Sequence, residues 1–464
     1  MTTGRDVEQV VTEWLRADAS PTNADLVLAV ALGRVATTRQ DQRGGRRPLV
    51  GWLGGRVGSR LAVVALLVLL AAIVATVVGT QLPAPPPPPT RDPFTTGPSP
   101  IVPRVDHTAT LLADGSVLNA GGYGSDMPRT VELFGPTSQT YRTAGSLLTP
   151  RLAHTATLLR DGRVLIVGGD QFNSTLASAE IWDPATGTST PTGGLLTGRS
   201  GHSATLLEDG RVLIVGGRVT YPQQVNLASA EVWDPVSGAF ASAGSLPDER
   251  WGHAAALLND GRVLIVGREA EPCSRTAGQL WDPVTQSFDA TRGLDLRSAH
   301  PTATVLPDGR VLVVGGWDFA DARSDQRSFM VGVAWLWDPV TETSIPAGSL
   351  EAPRSWHTAT LLRDGRVLIV GGTPLEPTAV VWDMTSMSFA PAGSVPYSRY
   401  PHTATLLPDG RVLISGGVNR IWDPEVPLPT TTESSAPATP VVQATEPPRQ
   451  VGDTSPWTPA DCGP

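Results

Sequence analysis

Between residues 93 and 424, short apolar runs and glycine- or aspartate-centred breaks follow one another in a fixed order that repeats along the chain. Residues 154–197 show one full copy. His154–Leu159 is an apolar, threonine-containing run that predicts a first strand, a. Asp161-Gly162 is a tight hairpin signal, and Arg163–Val167 predicts a second strand, b, broken by Gly168-Gly169. Ala179–Trp182 predicts strand c, ended by Asp183-Pro184, and Thr188–Thr192 predicts strand d. The Asp-Gly pair recurs at Asp114, Asp161, Asp209, Asp260, Asp308, Asp364 and Asp409, with gaps of 47, 48, 51, 48, 56 and 45 residues. A period near fifty marks one supersecondary unit that buries its apolar face only against its neighbours. Four short antiparallel strands per unit describe a propeller blade. The expected fold is therefore all-β, a seven-bladed propeller over residues 93–424.

The pattern also says how the ring closes. The seventh copy stops at Trp422-Asp423-Pro424 with no fourth strand behind it. In complete copies an aromatic precedes the next arginine by ten positions, as Tyr141 precedes Arg151, Phe240 precedes Arg250 and Phe389 precedes Arg399. Phe94 stands in the same relation to Arg104, so Pro93–Gly97 should supply the missing strand. Such closure removes exposed sheet edges.

Outside the repeats the pattern changes. Leu61–Leu82 carries no charge over 22 residues, enough at about 1.5 Å per residue to span a hydrocarbon core of roughly 30 Å. Arg39, Arg43, Arg46, Arg47, Arg56 and Arg60 precede it, against Asp41 alone, which predicts residues 1–60 in the cytoplasm and the remainder outside. A cleaved signal peptide fits less well, because the preceding segment is long and no small-x-small site is evident near Gly79. Within residues 1–60, Val7, Val10, Val11, Trp14 and Leu15 form a helical stripe. Ser20-Pro21 reads as the start of a second helix through Leu26, Leu28, Val30 and Leu32. Residues 83–92 form a proline-rich spacer in which Pro83–Pro89 favours polyproline II. Residues 425–464, rich in Pro, Thr, Ser and Glu, are expected to be disordered.

Composition narrows the function. All 35 basic residues are arginine, which rules out Schiff-base and P-loop lysines. The formal net charge is -9, and with about +3 on residues 1–60 the outer part is strongly acidic, so nucleic acid is not an expected partner. Two cysteines do not make a disulfide scaffold, although a Cys273–Cys462 bond would pin the tail across the ring in an oxidising compartment.

Gly-Gly doublets follow strand b at Gly121-Gly122, Gly168-Gly169, Gly216-Gly217, Gly315-Gly316, Gly371-Gly372 and Gly416-Gly417. A tryptophan closes strand c at Trp182, Trp233, Trp281, Trp337, Trp382 and Trp422. On these residues the chain resembles the Kelch repeat family, most closely the bacterial type also found in galactose-oxidase-like propellers. WD40 repeats are the rival, since Gly201-His202 and Trp233-Asp234 mimic their signature, but the doublets and the longer period favour Kelch. The copies depart from the pattern at Phe134 in place of tryptophan, at Gly267-Arg268 in place of a doublet, and in repeat 5, where Pro301 takes the histidine position and His300 is displaced by one.

All seven histidines sit in the repeats. Spread around a ring, they do not converge as metal ligands must. The repeated Arg-x-x-His is better read as a brace, the arginine reaching carbonyls or an acid of the adjoining blade and the histidine a backbone group. No catalytic residue, metal site or cofactor is expected. The resemblance implies one enzymatic alternative, a copper-dependent galactose-oxidase-like activity, which requires Tyr and His ligands gathered at the axis and a Tyr–Cys crosslink. The expected function is binding of an extracytoplasmic protein or glycan by a membrane-anchored propeller, with signalling through residues 1–60 as a further alternative. The longest connection, in repeat 5, mixes aromatics and charges at Trp317, Phe319, Asp321, Arg323, Asp325, Arg327 and Phe329, the candidate binding residues.

Overall fold

The computed structural model describes residues 92–428, except 125, 268–275, 297, 319–328, 373–377 and 396–397. The expected cytoplasmic helices, the apolar segment Leu61–Leu82, most of the proline spacer, the tail from residue 429 and both cysteines lie outside the described residues. Every regular element among the described residues is a β-strand, and no helix there is long and apolar enough to cross a membrane.

Repeat 2 shows how the sequence makes the unit. Its strands are Thr155–Leu158, Val164–Val167, Ala179–Asp183 and Thr188–Pro191, within two residues of the expected bounds. They pair antiparallel in sequence order. The a–b hairpin closes because the Leu159 amide donates to the Arg163 carbonyl at 2.8 Å while Gly162 takes φ 86°, the left-handed region open to glycine. Asp161 Oδ1 accepts the Arg163 amide at 3.0 Å, so the turn aspartate is structural. The same a-b-c-d order recurs in every other sheet of the ring, two of the units being joined edge to edge. The a strands touch one another in succession, and that of the last unit, within Ser398–Leu406, returns to Thr108–Leu111 of the first. The closed series is a β-propeller arrangement. Its last sheet is completed from the N-terminal side: Phe94–Thr96 pairs antiparallel with Arg420–Trp422, Phe94 opposite Trp422, as the aromatic-to-arginine spacing predicts.

The b strands explain why the apolar runs are continuous rather than alternating. Val164, Leu165, Ile166 and Val167 are all fully buried. Val164 and Ile166 pack with repeat 1, Leu165 and Val167 with repeat 3, so each sheet is covered on both faces by its neighbours. The strand c tryptophans fill these seams and carry a polar tip that needs a partner. The indole N–H of Trp182 donates to the Ala144 carbonyl one unit back, and Trp233, Trp281, Trp337, Trp382 and Trp422 reach backward likewise, at 2.9–3.3 Å. Phe134 has no such donor, and there the Asn419 amide donates to the Tyr141 hydroxyl across the closing seam at 2.6 Å.

The Arg-x-x-His motif is a brace, with two corrections to the expected partners. The arginine binds within its own repeat, not the adjoining one. Arg104, Arg151 and Arg199 pair with Glu132, Glu180 and Glu231 of strand c at 2.6, 2.7 and 2.5 Å, with both side chains buried. They also donate to the carbonyl of the first glycine of the Gly-Gly break. Each glutamate in turn accepts a backbone amide from the segment entering the repeat, such as Leu148 to Glu180 at 2.7 Å. The histidine meets a side-chain hydroxyl of the preceding repeat rather than a backbone group. His107, His154, His202, His253, His357 and His402 share Nε2 hydrogen bonds of 2.9–3.1 Å with Ser415, Thr108, Thr155, Ser203, Thr302 and Thr358. Burial, and next to it the charge of the nearby arginine, pushes the His107, His202, His253 and His357 imidazoles down to about 3. These rings are neutral structural bonds.

Candidate binding cleft at the ring axis

Within the constant brace, the two positions between arginine and histidine vary from copy to copy. The second of them is Asp106, Ala153, Gly201, Gly252, His300 and Trp356 in repeats 1 to 6, and all six take left-handed backbone with φ between 49° and 69°. His300 holds this position because repeat 5 reads Ser298-Ala299-His300-Pro301 where the others read Arg-x-x-His. It is not a shifted brace histidine but a ring turned out of the seam. A left-handed backbone is costly for bulky side chains, and His300 and Trp356 take it here because the repeat frame imposes it in all six copies.

The first variable position pairs with the residue after the Gly-Gly break. Val105 bridges Tyr123, Leu152 bridges Asp170, Ser200 bridges Arg218, and Ala299 pairs with Trp317. Two sets of variable residues are thereby brought to one end of the ring. They surround an open cleft of ≈ 410 Å³ lined by Asp106, Asp170, Ser200, Arg218, Trp251, His300 and Trp356 among others. The volume lies within the range of small-ligand pockets, about 300–1,000 Å³.

The cleft has a charged side from repeats 1–3 and an aromatic side from repeats 4–6. Asp170 is fixed by Thr175 and Thr220, whose hydroxyls donate to its two oxygens at 2.9 Å each. Asp106 has no hydrogen-bond partner among the described residues, and burial together with the charge of Asp170 raises its pKa. The Arg218 guanidinium lies 3.9 Å from the centre of the Trp251 ring, a cation–π contact, and makes no ion pair among the described residues. Its Nε is buried without a hydrogen-bond partner. On the other side His300 stacks on Trp356, centroids 3.4 Å apart at 20°, and meets Trp251 edge-on at 4.8 Å. Burial, then the charge of Arg218, lowers the His300 pKa to about 3, so this ring too is neutral. Two glycines make room for the wall. A Cβ on Gly201 would stand 2.2 Å from Trp251 Nε1, and one on Gly252 2.3 Å from His300 Cε1.

Of the residues the sequence singled out for binding, Trp317 is not among those lining the cleft; it pairs with Ala299, next to His300. Trp317–Asp318 pairs with Ser298–Ala299 on one side and Phe329–Met330 on the other. Ser298–Ala299, the strand partner of Trp317–Asp318, immediately precedes His300. Phe319, Asp321, Arg323, Asp325 and Arg327 lie outside the described residues, and of Phe329 only the strand position is described. The cleft residues themselves were not singled out from the sequence, apart from His300 as a departure. The signal that finds them is variation inside the invariant frame: the two residues of Arg-x-x-His and the residue after Gly-Gly.

No protein-family model and no curated protein matches the sequence. Solved structures do. A fungal alcohol oxidase of the AA5 family, in complex with copper, is 18% identical with a TM-score of 0.55, covering 71% of this chain and 75% of that one. YjhT is 16% identical with a TM-score of 0.50, covering 64% of this chain and 99% of that one. At these identities the likeness is one of fold alone, and the fold it supports is a Kelch-like β-propeller.

Proposed function

We propose that the chain is a membrane-anchored, extracytoplasmic binding module, a seven-bladed Kelch-type propeller whose cleft-bearing face holds a protein or glycan partner. The observation that carries this reading is the segregation of polar groups. The brace arginines of repeats 1–3 are paired with glutamates inside the frame and the seam histidines are tied through Nε2, whereas Arg218 and Asp106, without ion-pair partners among the described residues, are gathered with stacked aromatics around one cleft. Rigid aromatics next to a few oriented polar groups are what recognition surfaces use. The candidate contacts with that partner include Trp317, Phe319, Asp321, Arg323, Asp325, Arg327 and Phe329 of the 317–329 connection. The anchor rests on Leu61–Leu82 and its arginine-rich flank, and the acidic outer part disfavours nucleic acid.

A copper oxidase is the competing reading that the AA5 likeness brings to mind. The described histidines give it no converging ligand set, although the Nδ1 atoms of His154, His202 and His253 have no hydrogen-bond partner among the described residues. His154, His202 and His253 border the cleft, but their Nε2 atoms are bound to Thr108, Thr155 and Ser203. Among the described residues no three His, Cys, Asp or Glu side chains converge to hold a metal. The test is titration of the full chain in detergent with chitohexaose and maltohexaose by calorimetry, repeated on Trp356→Ala and on a deletion of 319–328. Saturable binding of at least one probe, weakened tenfold or more by Trp356→Ala, supports the module. Stoichiometric copper with peroxide formation from an alcohol or sugar would replace it with the oxidase.

A further inference from the structure

The cleft holds unpaired charge of both signs. Among its lining residues are Arg218, without a carboxylate partner among the described residues, and Asp106, without any hydrogen bond there. Asp170 has two of its roughly four acceptor sites taken by Thr175 and Thr220. Burying such groups is unfavourable unless something completes them. A neutral sugar would leave Arg218 and Asp106 without counter-charges. An anion such as phosphate would suit Arg218 but face two aspartates, and a simple amine the reverse. A ligand that satisfies all three groups carries an ammonium and a carboxylate close together.

The other half of the cleft states what the rest of that ligand is. Trp251, His300 and Trp356 form a contiguous aromatic wall, with ring centroids 3.4–5.6 Å apart. Gly201 and Gly252 are the small positions that let this wall stand where it does. Such a wall packs against a flat or apolar body, by stacking or edge contact.

We infer that the cleft is a site for a free α-amino acid with an aromatic or large apolar side chain, its ammonium set by Asp106 and Asp170, its carboxylate by Arg218, and its side chain against Trp251, His300 and Trp356. The inference rests on the cleft being a binding site and adds a ligand class to the protein or glycan partner of the face. Both ionic groups are needed, because each satisfies a different unpaired side chain. This excludes peptides, in which the two ends lie far apart.

Calorimetric titration of the full chain in detergent with L-phenylalanine, L-phenylalaninamide and N-acetyl-L-phenylalanine tests it. The expected result is saturable binding of phenylalanine and at least tenfold weaker binding of each derivative. Arg218→Gln should abolish the discrimination against the amide, and Asp106→Asn that against the N-acetyl compound. Each variant is checked for an unchanged melting temperature, and the comparison of the three ligands on the natural chain stands without them. Derivatives that bind within twofold of phenylalanine overturn the inference. So does absence of phenylalanine binding when chitohexaose or maltohexaose binds in a Trp356-dependent way, a result that leaves the binding module intact. Failure of all the probes counts against both.

Discussion

Repeats 3 and 5 share one four-stranded frame and differ at each buried polar position of the brace. Repeat 3 has Arg199, its partner Glu231, and His202 bound to Thr155. Repeat 5 has Ser298 in place of the arginine, Trp335 at the ladder position of the glutamate, Pro301 in place of the histidine, and Ala254 where the preceding repeat should offer a hydroxyl. The four changes are consistent with one physical rule. A buried glutamate without its arginine, or a buried imidazole without its hydroxyl, costs more than an apolar replacement of both partners. Between these two repeats the brace is kept or lost as a set, whereas repeat 6 keeps Arg354 and His357 without the glutamate. What remains common to both repeats is the apolar b strand and the tryptophan, so these hold the frame and the brace refines it. Where the brace is lost, His300 lines the cleft instead.

The largest expected contrast is with pH. The seam histidines have folded-state values far below the unfolded value of about 6.5. Between pH 6.5 and about 3 the unfolded chain takes up protons that the folded ring refuses, so stability is full above 6.5 and falls as the pH drops. Each fully buried histidine adds up to ~1.4 kcal/mol per pH unit in that window. Melting temperature should decline steeply from pH 7 to 4.5, and a Pro301-like change at a seam, His202→Pro paired with Thr155→Ala, should flatten the slope. A melting curve indifferent to pH over that range would mean that these rings are not neutral and buried as described.

Next in size is the ion pair. Arg199→Ser imitates repeat 5 in one half of the brace only and strands Glu231, with an expected cost of about 3–5 kcal/mol. Adding Glu231→Gln should recover part of it, because the second change removes the stranded charge. Chemical denaturation of the two variants decides this, and a double variant less stable than the single one contradicts the set rule. Arg354 marks the intermediate case. Strand c of its repeat offers Val380 at the glutamate position, so the guanidinium rests on the Gly371 and Thr378 carbonyls and the Thr378 hydroxyl, and burial lowers its pKa to about 10.

The same comparison explains what the sequence could and could not reveal. Strands, turns and ring closure were legible because they are written the same way in copy after copy: Val-Leu-Ile-Val buried on both faces, Asp-Gly in the hairpin, Phe94 at the aromatic position. The glutamate partners were missed because Glu132, Glu180 and Glu231 occur in three repeats only, in a strand read as apolar. The cleft was missed for a further reason. Asp106, Asp170, Arg218, Trp251, His300 and Trp356 come from six different repeats; their equivalent positions are legible in the period, but their side chains differ from copy to copy and no shared residue type marks them. Attention to the longest loop led to Trp317, which pairs with Ala299, and not to the residues that line the cleft.

A smaller effect separates the seams. Thr155→Val removes the hydroxyl from His202 and leaves Nε2 buried without a partner, at an expected cost of about 1–3 kcal/mol. Ala254→Thr at the seam before repeat 5 should alter stability by less than about 0.5 kcal/mol, since no imidazole waits there. Equal losses from the two substitutions would show that the hydroxyl acts through its own strand and not through the seam.

The finest test tries to rebuild the missing bond. Pro301→His alone places an imidazole opposite Ala254, and Ala254→Thr alone places a hydroxyl opposite proline. Neither has its partner, and the first carries the desolvation cost of a buried ring. Together they recreate the pair that six other seams possess, so the double variant should exceed the sum of the singles by about 0.5–1.5 kcal/mol in a double-mutant cycle. Coupling of that size would mean that repeat 5 retains the seam geometry and has lost only the side chains. Zero coupling would mean that the backbone between Ser298 and Thr302 has been reset to present His300, so that the cleft has been built at the expense of the seam.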